Sequence, residues 1–283
     1  MPLTRSQDMI FTLFGDYIRH RGGEIWVGSL IELLGHLGMT PQAVRSSLSR
    51  LSRKGWLKSR RVGRSSYYSL TPKSVRLFTA GEQRIFEPPR RNDPWDGRWH
   101  LLSYSIPERQ RRLRNKLRNE LTWLGYGSLN NGLWISPRDR CQDVQRVLDT
   151  LGIRERVEIF EARHIGFTAE QDLVQRCWDL KRLNEKYAEF IATYRSRYQA
   201  DQQLVEQGGT LEPSACFVQR FMLIHEYRQF PFIDPFLPAE LLPTNWLSEQ
   251  ATELFQAYHR LLTEPANRFV DAVLERAPVR EIQ

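Results

Sequence analysis

Ten Arg and Lys side chains fall between Leu33 and Gly81, and no carboxylate falls with them: Arg45, Arg50, Arg53, Lys54, Lys58, Arg60, Arg61, Arg64, Lys73 and Arg76. Such a group binds a polyanion rather than making or breaking bonds. Each cation set against a phosphate releases a condensed counterion, and an acid in the footprint would oppose it. Gln42, Ser46 and Ser49 stand among these cations. Gln can pair adenine, Arg can pair guanine or clamp phosphate, and Ser can do either. The charge is sorted along the chain in the same sense. Residues 1–90 hold 15 Lys and Arg against 6 Asp and Glu, whereas the whole chain holds 41 against 33, so the formal +8 sits in the first third.

A second group is His225-Glu226-Tyr227-Arg228, followed by Asp234. It lacks the second His of a HExxH zinc site, so a peptidase is not expected. A His, two carboxylates and an Arg close together suit either of two roles: a site for a small acidic ligand or signal, or an ion-paired network stapling the Pro-rich loop to its helix. Cys141, Cys177 and Cys216 are far apart and form no CxxC or Cys/His cluster, so they read as reduced thiols and no metal site is expected.

The elements that must position the first group are legible. Met9, Ile10, Leu13, Phe14 and Tyr17 recur at helical spacing, which predicts a helix from Arg5 to His20 ended by Gly22-Gly23. Ile25-Trp26-Val27 reads as a short strand, and Ser29 starts a helix through Leu34. Thr40-Pro41 is a strong helix start, because Thr caps well and Pro at the first position needs no donor. The helix from there to Lys54 puts Val44, Leu48 and Leu51 on one face and Gln42, Ser46, Ser49 and Arg53 on the other, flanked by Arg45 and Arg50. Strands entered by Trp56-Leu57 and by Tyr67, Tyr68 and Leu70 flank Gly63, giving a hairpin with Arg60, Arg61 and Arg64 at its tip. This order is that of a winged helix-turn-helix, expected over residues 1–88 and closed by a helix from Thr71-Pro72 to Phe86. The Pro- and charge-rich stretch Glu87 to Gly97 reads as a linker.

Beyond it, strands over Arg98–Ile106, Tyr126–Leu129, Leu133–Ser136 and Val157–Phe160 alternate with helices from Pro107 to Gly125 and Asp139 to Leu151. The order βαββαβ predicts a ferredoxin-like domain over residues 98–163. Its first helix carries Arg109, Arg111, Arg112, Arg114, Lys116 and Arg118, which suits a solvated face, a nonspecific DNA contact or a dimer contact. Residues 164–283 are expected as an all-helical domain, with a helix capped by Thr168, others over Leu183–Tyr198 and Ser214–Tyr227, and two more over Trp246–Leu262 and Pro265–Glu275. The fold class is thus α+β multidomain. A chain of 283 residues with 8 Trp has enough apolar mass for such cores. It has no run of about 18 apolar residues and no signal-peptide pattern, so no membrane contact is expected and a cytoplasmic location is.

The segments MTPQAVRSSLSRLSRKGWL (Met39 to Leu57), GRWHLLSYSIPE, GYGSLNNGLWISP and, above all, LIHEYRQFPFIDPFLPAELLPTNW (Leu223 to Trp246) resemble the PaaX family of phenylacetic-acid catabolic repressors over nearly the whole chain. The resemblance implies a homodimer on double-stranded operator DNA, released by an aryl-acetyl-coenzyme A thioester such as phenylacetyl-CoA, with no resident cofactor. Coenzyme A phosphates call for cations, and Arg195, Arg197, Arg220 and Arg228 are the candidates. The middle domain is also similar to small CRISPR adaptation nucleases, whose first strand ends in a metal-binding Asp. The matching stretch here is Tyr104-Ser105-Ile106, and Ser is a poor Mg²⁺ ligand. No catalytic residue is therefore assigned. A metal-dependent nuclease, another hydrolase built on His225 and Glu226, and an architectural DNA-binding protein without effector are the competing readings.

Overall fold

The structure is a computed structural model that describes residues 5–86 and 94–278. The expected linker, Glu87 to Gly97, falls mostly outside the described residues. The fold is mixed α+β, with two small sheets and a helical C-terminal region, and the chain divides into two compact units. One comprises Met1–Glu87, Phe190–Gln229 and Gln250–Gln283, and the other comprises Pro88–Glu189 and Phe230–Glu249. The stretch 164–283, expected as one helical domain, is therefore shared between the two. Its segments bury their apolar stripes in different cores.

In the first unit, α1 (Arg5–Leu13) passes into a single widened turn over Phe14–Ile18, then β1 (Glu24–Trp26), α2 (Val27–His36), α3 (Pro41–Arg53), β2 (Leu57–Val62), β3 (Ser65–Leu70) and α4 (Pro72–Phe86). The three strands form an antiparallel sheet in the order β1-β3-β2. Ile10, Leu13, Phe14, Leu30, Leu33, Leu34, Val44, Leu48 and Leu51 are fully buried. α9 (Pro213–Tyr227) and the 250–275 part of α11 (Ser248–Glu275) pack on them. Tyr17 meets Phe217 edge-on at 5.4 Å between centroids, and Ser29 Oγ donates to the Val273 carbonyl at 3.2 Å.

Two helices expected on either side of Pro265 are one continuous α11. Proline removes one backbone bond and usually breaks a helix. Here Leu262, Ala266, Val270 and Val273 are all fully buried on one stripe, and that packing carries the helix through.

In the second unit, β4 (Trp99–Tyr104), α5 (Arg111–Trp123), β5 (Gly127–Asn130), β6 (Leu133–Ser136), α6 (Cys141–Leu151) and β7 (Val157–Ala162) follow in chain order. The sheet order is β5-β6-β4-β7, with every neighbour antiparallel. Asn131-Gly132 closes the β5–β6 hairpin, with Gly132 at φ +99°. Side chains alternate along β4. Leu102 joins Leu117, Leu121, Trp134, Val144 and Leu148 on the face covered by α5 and α6, whereas Trp99 joins Leu173, Val174, Leu237 and Leu241 on the other. That second face is covered by α7 (Glu170–Cys177) and the segment after α10 (Phe230–Ile233). Thr168 does not cap α7. Ala169 holds the cap position, and the Asp172 carboxylate accepts the Ala169 N–H at 3.2 Å. α8 (Leu180–Glu206) contributes its residues 180–189 to this unit and 190–206 to the other.

Within the first unit, Arg220 on α9 is 5 % exposed and donates to both Asp16 oxygens, at 2.5 and 3.1 Å. Its Nη2 also lies 2.9 Å from His259 Nε2. A guanidinium only donates, so His259 accepts through Nε2 and is neutral. Burial, then the charge of Arg220, pushes the His259 pKa down from 6.5 to about 3. A group depressed on folding contributes stability above its unfolded pKa and loses it as pH falls toward the folded one. The stability that His259 contributes is accordingly lost as pH falls from 6.5 to 5, and appears as part of the slope of urea stability against pH. His259→Gln should flatten it, and equal slopes for the variant and the parent chain would refute the assignment.

Candidate nucleic-acid interface

α3 is held at its start by Thr40, whose Oγ1 accepts the Ala43 N–H at 3.2 Å, with Pro41 in the first turn. Val44, Leu48 and Leu51 face the core, and Ser47 is buried with them. Gln42, Arg45, Ser46, Ser49, Arg50 and Arg53 are exposed, on the face the sequence indicates. Lys54 is different. Its Nζ donates to Gln7 Oε1 on α1 at 3.2 Å, tying the end of α3 to the first helix. Phe11 on α1 packs edge-on against Trp56 at 5.7 Å, and Lys73 lies 4.0 Å over the Trp56 ring.

The hairpin turns through Gly63-Arg64, between the Val62–Ser65 pair. Gly63 takes φ +56°, the first central position of a two-residue loop that favours Gly. Arg64 is therefore at the tip and Arg61 one pair below it, opposite Ser66. Arg60 departs from expectation. It lies opposite Tyr67, away from the tip, and its guanidinium grips Glu24 on β1 through Nε at 3.2 Å and Nη2 at 2.7 Å. It also lies 5.4 Å from the Tyr67 ring centroid. Glu24 raises the Arg60 pKa by accepting these bonds and by its charge. Neighbouring strand residues point to opposite faces, so Arg61 does not share this contact. Arg45, Arg50, Arg53, Lys58, Arg61, Arg64 and Arg76 have no carboxylate partner among the described residues. Tyr67 is buried and Tyr68 half-buried.

The residues of the second group do not converge on one site: His225 and Arg228 share Asp8, and the others turn elsewhere. His225 Nδ1 lies 2.8 Å from Thr12 Oγ1, and Nε2 lies 3.8 Å from Asp8. Arg228 donates to the same Asp8. Glu226 is hydrogen-bonded by Tyr194, whose hydroxyl pKa is raised first by burial and then by that carboxylate. Tyr227 donates to Thr252 at 2.9 Å and stacks flat on Phe255 at 3.8 Å. Asp234 belongs to the second unit and is 2 % exposed. It accepts from Tyr187 Oη at 2.6 Å and from the Phe236 N–H at 2.7 Å. Phe236 sits at φ +52°, a conformation unfavourable for a bulky residue, and Asp234 pins that turn. Of the candidate phosphate-binding cations, Arg220 is committed to Asp16 and Arg228 to Asp8. Arg195 donates to Gln250 at 3.4 Å, and Arg197 lies over Tyr194. The reach of Asp8, Thr12 and Asp16 across more than 200 residues carries no local sequence signal.

Among the described residues of the second unit, two open cavities stand out. One, of about 800 Å³, runs between Arg176, Trp178, Lys181 and Asn184 and the segment Pro243 to Leu247. Asn184 fixes that segment through the Asn245 carbonyl at 3.1 Å and the Leu247 N–H at 2.9 Å. The other, of about 630 Å³, is lined by Trp95, His100, Arg138, Arg140 and Glu161. Among the described residues no helix is long and apolar enough to cross a membrane.

Family models match three successive stretches: "PaaX-like protein" over residues 5–74, "PaaX protein central Cas2-like domain" over 92–174 and "PaaX-like protein C-terminal domain" over 178–272. The chain is 36% identical over 266 residues to the "Transcriptional repressor PaaX" of Escherichia coli (strain K12), covering 93% of this chain and 82% of that protein. That relative is a regulator rather than an enzyme. Among solved structures, the chain is similar to "Uncharacterized protein Rv0674 from Mycobacterium tuberculosis", with a TM-score of 0.52 and 26% identity over 87% of this chain and 90% of that one.

The Glu24–Arg60 grip gives a direct expectation. Glu24→Gln removes the carboxylate that grips Arg60 and frees a cation. Affinity for any duplex should rise several-fold at low salt, and the slope of log K against log salt should steepen by about 0.9, one added phosphate contact. Fluorescence-anisotropy titration from 50 to 200 mM KCl reads both, and weaker binding by the variant would show that Glu24 organises the hairpin for DNA.

Proposed function

The chain belongs to the PaaX family, and from that membership we propose that it is a sequence-specific transcriptional repressor of a phenylacetate-type catabolic operon, released from DNA by an aryl-acetyl-CoA thioester. The observation that carries the DNA reading is the exposed face of α3. It offers Gln42, Arg45, Ser46, Ser49, Arg50 and Arg53 with no acid among them, beside a hairpin tipped by Arg61 and Arg64. α2, α3 and the β2–β3 hairpin act in this reading as a winged helix-turn-helix, with α3 in the major groove and the hairpin on the backbone or minor groove. The βαββαβ order with strands β5-β6-β4-β7 supports a ferredoxin-like central domain. A homodimer would set two α3 helices in successive major grooves of a near-palindromic site. The protein would act in the cytoplasm.

A ligand releases DNA only by binding the DNA-free conformation better, and a tenfold loss of operator affinity needs about 1.4 kcal/mol of coupling. The 800 Å³ cavity, with Trp178 and Leu180 beside Arg176 and Lys181, has the size and mixed lining of a small-molecule site. His225, Glu226, Tyr227 and Arg228 would then transmit the signal through their partners on other elements. The identity of Ser105 leaves the nuclease reading without its first metal ligand.

The test is anisotropy binding at fixed salt to DNA upstream of the chain's own gene neighbourhood, with a random duplex as reference. Arg45→Ala is expected to cost about 1–3 kcal/mol on the operator and to relax sequence preference. Arg61→Ala with Arg64→Ala should weaken operator and random DNA alike. Phenylacetyl-CoA should release the operator where free phenylacetate and coenzyme A do not. Equal losses on both duplexes for both variants would overturn the division of labour, and operator binding that no thioester relieves would overturn the effector.

A further inference from the structure

A second basic surface lies in the other unit, on α5. Leu117 and Leu121 are fully buried under the sheet, with Leu113 beside them, so the outward face of the helix is fixed. That face carries Arg112, Asn115, Lys116 and Asn119 at spacings of three and four, with Arg109 before it and Arg118 on its flank, all exposed. The stripe from Arg112 to Asn119 is about 10 Å long at 1.5 Å per residue. Glu108 is occupied by Arg114 at 2.6 Å and approached by Arg111 at 3.9 Å. On neighbouring elements of the same layer, Asp143 faces Arg140 and Arg146, Asp149 faces Arg154 and Glu155 faces Arg156. Arg109, Arg112, Lys116 and Arg118 are left with no carboxylate partner among the described residues.

This arrangement is unfavourable in the protein alone. Arg112 and Lys116, and Arg114 and Arg118, are like charges four apart, which repel along a helix. Arg112 also stands in the N-terminal turn, where the helix dipole disfavours a cation, and the acid just before that turn, Glu108, is already taken by Arg114 and approached by Arg111. A polyanion relieves both conflicts at once. Duplex DNA presents one charge per about 1.7 Å of axis, so a 10 Å stripe meets several phosphates. Asn115 and Asn119 add neutral groups that bond phosphate without supplying charge. The face has no aromatic platform for unstacked bases beyond Trp123, which is stacked on Phe232 at 4.9 Å, so it suits a duplex backbone rather than a single strand.

We infer that the outward face of α5 is a second, sequence-independent duplex-DNA contact surface, used in addition to α3 and the hairpin. It rests on the DNA-binding reading and deepens it. Its contribution is phosphate neutralisation, so it changes affinity for all sequences and leaves preference among them untouched.

The experiment uses the full chain and two variants, Arg112→Glu with Lys116→Glu and the milder Arg112→Gln with Lys116→Gln. Both positions are exposed, and the Gln pair removes the like-charge repulsion, so its thermal midpoint should be unchanged or higher. Anisotropy titrations against operator and 30-base-pair random DNA are run from 50 to 200 mM KCl. For the Gln pair, the log K against log salt slope should shrink by about 1.8, two phosphate contacts. Affinity should fall about tenfold or more on both duplexes, and further for the Glu pair. Unchanged slopes here, with Arg61→Ala and Arg64→Ala still lowering them, would sink the α5 surface and leave the α3 reading standing. Absence of salt-dependent binding in the parent chain would sink both. A variant that changes sedimentation coefficient while keeping its salt slope would show the face to be a protein contact, which also overturns the inference.

Discussion

The buried Asp16–Arg220 pair fixes how the first helix meets α9, and much of the first unit follows from it. Both ions lie in the core, where their separation from water is costly and only close, well-bonded pairing offsets it. Such a pair adds little net stability over an apolar substitute, but it tolerates no slip of one helix along the other. Two further contacts continue the same alignment, Thr12 with His225 and Asp8 with Arg228. Residue numbers rise on α1 as they fall on α9, so the two helices run antiparallel and are joined at three successive levels. On its other side α1 holds the end of α3 through Gln7 and Lys54, and the entry to β2 through Phe11 and Trp56. A single short helix thus carries, on two faces, the element that presents the basic surface and a helix of the C-terminal region.

The linear and the spatial distributions of charge differ in an instructive way. The window from Leu33 to Gly81 has no acid in sequence, yet Glu24 enters it in space because β1 joins the hairpin sheet. Arg60 is taken by Glu24, Lys54 by Gln7 and Lys73 by the Trp56 ring. These cations position the surface, whereas those that remain unpaired form it. A sum of charges in a window cannot separate the two classes.

What was legible in the sequence was local. Thr40-Pro41 announces α3 because cap and first turn are adjacent in the chain, and Gly63 and Gly132 announce hairpins because each turn needs a positive φ at one residue. The outward set on α3 follows from helical spacing alone. What was not legible depends on distant partners. Pro265 inside α11, Ala169 rather than Thr168 at the start of α7, and the division of residues 164–283 between two units all reflect packing that overrides local preference. The widened turn at Phe14–Ile18 is invisible to a 3.6-residue period and sits where Asp16 must reach Arg220. His225 and Arg228 stand within two residues of a carboxylate in sequence, Glu226, but find theirs in Asp8.

The energies set which of these contacts a signal can use. Breaking a buried pair by removing one partner costs about 3–5 kcal/mol, because a charge is left uncompensated. A tenfold change in DNA affinity needs only about 1.4 kcal/mol. A mechanism that broke Asp16–Arg220 would spend several times the required free energy and risk the fold of the unit that carries α3. The Asp8–Arg228 pair is different, since Asp8 is 38% and Arg228 21% exposed. Solvent already screens it, so breaking it costs far less than breaking the buried pair. The buried pair therefore sets the register of α1 on α9, and the partly exposed one adds little to it.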